Sequence, residues 1–140
     1  MKKRIILCIG GILAVAFLSL GLLEFRNRQA VSEISHISTA DIASVTVTAN
    51  PPGKEAQMKE AEIDRLVEIL HTVTVYKKDN SYGEYAGQWV EFCITKTDNT
   101  QITIAAFSPF IIINGVGYQA KYAPCQAMNS LANKIIEEAL

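Results

Sequence analysis

The hydrophobic positions of this chain fall into three regimes. Ile5 to Leu23 is an unbroken run of nineteen uncharged residues, IILCIGGILAVAFLSLGLL. Wound as an α-helix it spans about 28 Å, close to the roughly 30 Å hydrocarbon thickness of a bilayer. Glu24 to Ala40 is polar with scattered aliphatics and predicts a linker or stalk. From Asp41 onward, short segments carry period-two or period-3.6 patterning, as in a folded domain. The chain therefore reads as an N-terminal transmembrane anchor (1–23), a linker (24–40) and one domain (41–140).

Within that domain the pattern resolves into elements. Ala43, Val45, Val47 and Ala49 alternate with Ser44, Thr46 and Thr48, the signature of a half-buried strand. Asn50-Pro51-Pro52-Gly53 is a turn, after which Lys54 to Lys59 runs back as a short polar edge strand. Glu60 to Thr72 predicts a helix, because Ile63, Leu66, Val67 and Leu70 form one stripe and Glu60, Glu62 and Asp64 crowd its first turn. A strand starts at Val73 to Tyr76, and a loop follows from Lys77 to Gly87. Trp89 to Thr97, with Val90, Phe92 and Ile94 on one face, and Gln101 to Phe107 then form a hairpin about Asp98-Asn99. Phe110 to Ile113 and Val116 to Lys121 form another about Asn114-Gly115, the commonest type I′ signal. Pro124 opens a last helix striped by Met128, Leu131, Ala132, Ile135 and Ala139. The predicted class is α+β: a mostly antiparallel sheet covered by two amphipathic helices.

The N-terminal run has rival readings. A cleaved signal peptide also starts basic, but its apolar core is usually about 7–15 residues and ends in a small-x-small cleavage site. Here Ala14 to Ala16 lies inside the run, and the next candidate, after Ala30, has Arg28 two positions before it. A lipoprotein signal would need a small residue before Cys8, which instead follows Leu7. Lys2, Lys3, Arg4 and the α-amino group outweigh Arg26 and Arg28, partly offset by Glu24. The positive-inside rule then places the N-terminus in the cytoplasm and the domain outside a cell membrane crossed once.

Charge narrows the functions. Val31 to Leu140 holds 8 Lys and Arg against 13 Asp and Glu, a formal charge of −5. The basic footprint that nucleic acid demands is absent, so no nucleic-acid partner is expected. The same acidity argues against docking on an anionic membrane surface. About 110 residues suffice to bury a core without staples.

The chemistry-bearing residues are few. The two histidines, His36 in the linker and His71 at a helix end, have no catalytic partner nearby in sequence. No G-x-S-x-G elbow, HExxH, P-loop or dinucleotide fingerprint occurs. Asp79-Asn80-Ser81-Tyr82-Gly83-Glu84 fails the calcium-loop pattern, with glycine fifth and Val90 twelfth. Cys93 and Cys125 are too isolated for a zinc site. Cys93 faces away from Phe92 and Ile94 while Cys125 shares the last helix's stripe, which predicts two free, largely buried thiols on opposite sides of the sheet. No metal, cofactor or catalytic residue is expected, and the protein reads as a non-enzyme. What remains is aromatic: Tyr76, Tyr82, Tyr85 and Trp89 lie within fourteen residues, beside the adjacent cations Lys77 and Lys78. Such rings serve either as interface anchors or as packing across neighbouring strands. Tyr82, Tyr85, Trp89, Lys77 and Lys78 are the candidate partner-binding residues. As a pure interface pair, Tyr82 and Tyr85 would be replaceable by alanine at little cost in stability.

The basic start, single membrane helix, PPG-type turn, EIDRLVEILHT helix and later INGxxY hairpin resemble small membrane-anchored exported domains of Gram-positive bacteria. Those domains carry no assigned activity, so the resemblance implies no catalytic residue. The expected function is an extracytoplasmic binding or accessory module for a protein or cell-envelope partner, tied to the membrane by residues 5–23. The alternative is a subunit of a membrane complex that touches its partner through the transmembrane helix.

Overall fold

The helix that contains the apolar run does not end with it at Leu23. In the computed structural model of the chain, which describes residues 2–140, with side-chain surroundings from residue 10 on, α1 extends from Lys2 to His36. Residues 24–36 are therefore helical and not an extended linker. The segment contains no glycine or proline, and Ala30, Val31, Ile34 and Ile37 recur at helical spacing. Ile34 and Ile37 are buried and join the main core, with Ala30 and Val31 packed beside them. Lys96 donates to Glu33, adding a polar tie to the sheet. The described part of α1 is long and apolar enough to cross a membrane, a property it shares with signal sequences.

Beyond a short 3₁₀ turn capped by Ser38, the chain builds β1 (Ile42–Asn50), β2 (Lys54–Gln57), α2 (Glu60–Leu70), β3 (Val75–Lys78), β4 (Trp89–Lys96), β5 (Gln101–Phe107), β6 (Phe110–Ile113), β7 (Val116–Ala120) and α3 (Tyr122–Glu138). The seven strands form one sheet in the order β2-β1-β4-β5-β6-β7-β3, each neighbour antiparallel. The fold is α+β. Asn114 and Gly115 have φ of 49° and 82°, the two positive values a type I′ turn requires.

One face of the sheet carries the core. Val45, Val47, Val90, Phe92, Ile94 and Ile104 are buried there, against the stripes of α2 and α3 and the last turns of α1. Two details differ from the simple alternation. A bulge between Ile42 and Ser44 leaves Ala43 exposed and lets Ile42 pack on the core in its place. The strand expected from Val73 starts at Val75, because the amides of Thr72 and Val73 still bond back to Ile69 and Leu70 as the helix unwinds. Lys77 and Lys78 consequently belong to β3, at the sheet's edge, and not to the loop.

Candidate binding face

Strand parity sends a second set of side chains to the face that no helix covers. Trp89 and Cys93 of β4, Ala105 and Phe107 of β5, and Phe110 and Ile112 of β6 alternate with core residues and so point away from the helices. Part of this face is overlaid by the segment that leaves β3. The Asp79 amide donates to the Gly117 carbonyl at 2.8 Å, and the Gly117 amide donates to Asn80 Oδ1 at 2.8 Å. Gln119 Nε2 donates to Asp79 Oδ2 at 2.6 Å, and the Ser81 amide donates to Asp79 Oδ1 at 2.9 Å. The hydrogen bonds from Ser81 hold the Asp79 carboxyl below the usual carboxylate range. This lattice lays the 3₁₀ turn Ser81–Glu84 across β7 and brings its tyrosines over the sheet.

The result is a five-ring cluster. Tyr82 lies 5.7 Å from Trp89 and 6.4 Å from Phe110 between ring centroids, Tyr85 lies 5.5 Å from Phe110, and Trp89 lies 6.3 Å from Phe107. All four separations are within the range of favourable tilted or edge-on contact. Yet the two tyrosines do different things. Tyr82 presses on Gly117 so closely that a Cβ there would sit 2.5 Å from its ring and 2.4 Å from the Asp79 carbonyl oxygen. Tyr85 lies at the rim and is 60% exposed. Tyr82 is packing; Tyr85 is presentation.

The structure thus brings together Tyr82, Tyr85 and Trp89, and adds Phe107 and Phe110, which the sequence reading passed over. Strand parity pointed to Phe107: it stands out of phase with Ile102, Ile104 and Ala106 on the same strand. Register also pairs it directly with Phe110. The adjacent cations are not brought together. Lys77 aligns with Gln119, which aligns with Phe110, so Lys77 lies on the aromatic face, where its charge also acts on Asp79. Lys78 aligns with Tyr118 on the helix side and pairs with Glu24 of α1 at 3.5 Å.

Beside Tyr85 and Phe107 a cleft of about 310 Å³ opens toward α3, with Gln88, Ser108, Gln126 and Asn129 on its walls. The carboxamides of Gln88 and Asn129 are committed to each other and to Asn133. Gln88 Nε2 donates to Asn133 Oδ1 at 2.9 Å and to the Pro51 carbonyl at 3.0 Å, while Gln88 Oε1 accepts from Asn129 and Asn133. This knot fastens the start of β4 to α3.

Known proteins offer no guide here. No protein-family model matches the chain, and no curated protein or solved structure matches it either. The other reactive side chains are tied into the fold. His71 Nε2 donates to the Ile37 carbonyl at 2.8 Å, clasping the end of α1 to the end of α2, and His36 Nδ1 bonds the Ser32 carbonyl one turn back. Cys93 and Cys125 are both free. Register places Cys93 between Thr46 and Thr103 on the outer face, half-buried where deeper burial was expected. Cys125 is buried in the helix layer, and burial pushes its thiol up to about 11. Among the described residues no group of three His, Cys, Asp or Glu side chains gathers as a metal would need.

Proposed function

We propose that this protein is a single-pass membrane protein whose outer domain is a binding module, with the rim of the aromatic cluster as its contact for a protein partner in the cell envelope. One observation carries the reading: Tyr85 stands exposed at the edge of five packed rings, on a face that no helix covers and that hydrogen bonds hold in place. Rigid support beneath an exposed tyrosine is the arrangement that interface anchors need. The helix α1 serves as an uncleaved anchor, with the N-terminus in the cytoplasm and the domain outside. Its continuity supports this over a signal sequence, because cleavage after Ala30 would cut within the helix at the stripe that packs on the core. A binding role is favoured over catalysis by the histidine rings, both spent on backbone carbonyls, and by the inert Cys125 thiol.

The test is site-specific photocrosslinking in cells. A photoreactive phenylalanine analogue at position 85 should give a discrete adduct, and the same group at exposed Glu137 on α3 should not. Adducts of equal yield from both positions, or none from position 85, would reject this face. A chain beginning at Glu24, exported through a cleavable leader, should keep the adduct. Loss of the adduct from that chain while its thermal melt is unchanged would favour the alternative, a membrane complex held through the transmembrane helix.

A further inference from the structure

The continuity of α1 has a geometric result that the linear sequence conceals. The turns just past the apolar run lie against the edge strand β3, and between them opens a cleft of about 420 Å³. Its walls include Glu24 and Arg28 of α1, Tyr76, Lys77 and Lys78 of β3, and Tyr118 of β7. Two cations, Arg28 and Lys78, therefore meet one acid on the helix side of β3, in a domain whose overall charge is negative, while Lys77 borders the cleft from the strand's other face. The acid is engaged by Lys78 in an exposed pair, of the kind that holds its geometry weakly. Arg28 makes no salt bridge among the described residues. Tyr76 is 66% exposed at the cleft, and Phe25 is exposed nearby on α1. Tyr118 is nearly buried in the wall, and burial raises its phenol, so the hydroxyl stays a donor.

Depth along α1 identifies the occupant. With the span taken as Ile5 to Leu23, Glu24 marks the edge of the hydrocarbon, and Arg28 stands about 6 Å above it. The polar headgroup layer is roughly 5–8 Å thick on each side of a bilayer. The lower half of the cleft is therefore held at headgroup level, with amphipathic aromatics where membrane proteins concentrate them and with basic groups at the depth of lipid phosphates. We propose that this cleft takes the phosphate headgroup of an anionic phospholipid from the leaflet through which α1 leaves the membrane. Arg28 and Lys78 would clamp the phosphate, and Tyr76 would lie at the interface beside it. The proposal rests on the anchor reading of α1 but is independent of the aromatic face. It also qualifies the expectation drawn from net charge: the domain is acidic as a whole and basic at the one place the anchor holds against lipid.

The full-length chain is reconstituted into nanodiscs of phosphatidylcholine containing a minority of phosphatidylglycerol, released into mild detergent, and its retained lipids are counted by native mass spectrometry. The wild type should retain phosphatidylglycerol well above its share of the bilayer. Arg28→Gln combined with Lys78→Gln should lower that enrichment by about fivefold for each cation removed. Glu24→Gln should raise it. Arg26→Gln should leave it unchanged, because Arg26 is two residues from Arg28, about 200° around the helix, and does not line the cleft. Equal enrichment in the wild type and the Arg28/Lys78 variant, or an equal loss in Arg26→Gln, overturns the proposal in favour of unspecific charge. Inorganic phosphate stabilising the delipidated protein as strongly as phosphatidylglycerol does would also overturn it, making the cleft a site for soluble anions. A chain that fails to enter nanodiscs at all fails earlier, at the anchor reading. These substitutions are at exposed positions, and an unchanged thermal melt for each verifies that the fold is intact.

Discussion

Ile34→Ala is the substitution that asks whether residues 24–37 belong to the folded domain or merely lead to it. Ile34 is fully inaccessible to solvent, on the last turns of α1, in the same core as the stripes of α2 and α3. Truncating a buried isoleucine to alanine removes its transfer free energy and leaves a cavity, at a cost of about 2–5 kcal/mol. For roughly 110 folded residues each kcal/mol corresponds to about 4 °C in Tm, so a shift of about 8–20 °C is expected. Trp89 is the sole tryptophan and lies on the opposite face of the sheet, so its fluorescence reports loss of the whole domain and not local fraying of α1. The melt is followed by that signal in detergent micelles, with Ser32→Ala as the control. Ser32 is exposed on the same turn, and only its backbone carbonyl is used, so its replacement should stay within about 2 °C. A shift below about 2 °C for Ile34→Ala would refute the reasoning. Residues 24–37 would then be a helical tether whose contact with the sheet contributes nothing to folding.

Other outcomes follow from the outer face and the thiols. Tyr82→Ala should lower Tm by several degrees, through loss of its ring contacts and its seat on Gly117, while Tyr85→Ala leaves the melt nearly unchanged. A reversed order would show that the rim and the floor of the cluster have been confused. In the native protein, iodoacetamide at pH 8 should spare Cys125, whose pKa of about 11 leaves roughly one thiolate in a thousand, and should modify it once urea unfolds the chain. Rapid native labelling at Cys125, located by peptide mass mapping, would contradict its burial. The Asp79 carboxyl is held below its unfolded value of 3.8, so its contribution to stability is present above that pH and lost as pH falls through the lower folded value. The Tm difference between the wild type and Asp79→Asn should therefore shrink as pH drops below 3.8, and a difference that is constant with pH would sink this account.

Most of the architecture was legible because it rests on periodicity. Alternation in β1, β4 and β5, the Asn114-Gly115 turn and the stripes of α2 and α3 each express a local rule that burial then reinforces. What escaped was non-local or short. The stripe Ala30, Val31, Ile34, Ile37 covers barely two turns, and its apolar residues gain meaning only once a sheet stands opposite them. The placement of β3 beyond β7, at the far edge, depends on strand pairing that no pattern within Val75–Lys78 encodes. The same holds for the bulge that exchanges Ile42 for Ala43.

The candidate site divides along the same line. The aromatic residues were visible as a cluster in sequence, and parity alone gave the face that Trp89 would occupy. Which tyrosine packs and which presents was hidden, because it is decided by Gly117, thirty-five residues from Tyr82, whose missing side chain makes room for the ring. Lys77 and Lys78 looked like one basic feature because they are adjacent. In a strand, adjacency means opposite faces. One cation therefore stands with Asp79 on the aromatic side, while the other faces Glu24 within α1. A helix without a break turns that second cation from a loop charge into one held against α1, and on the proposed anchor reading that puts it at the depth of lipid headgroups. The rings on one face and the cation that meets α1 on the other are thus set by the same strand register.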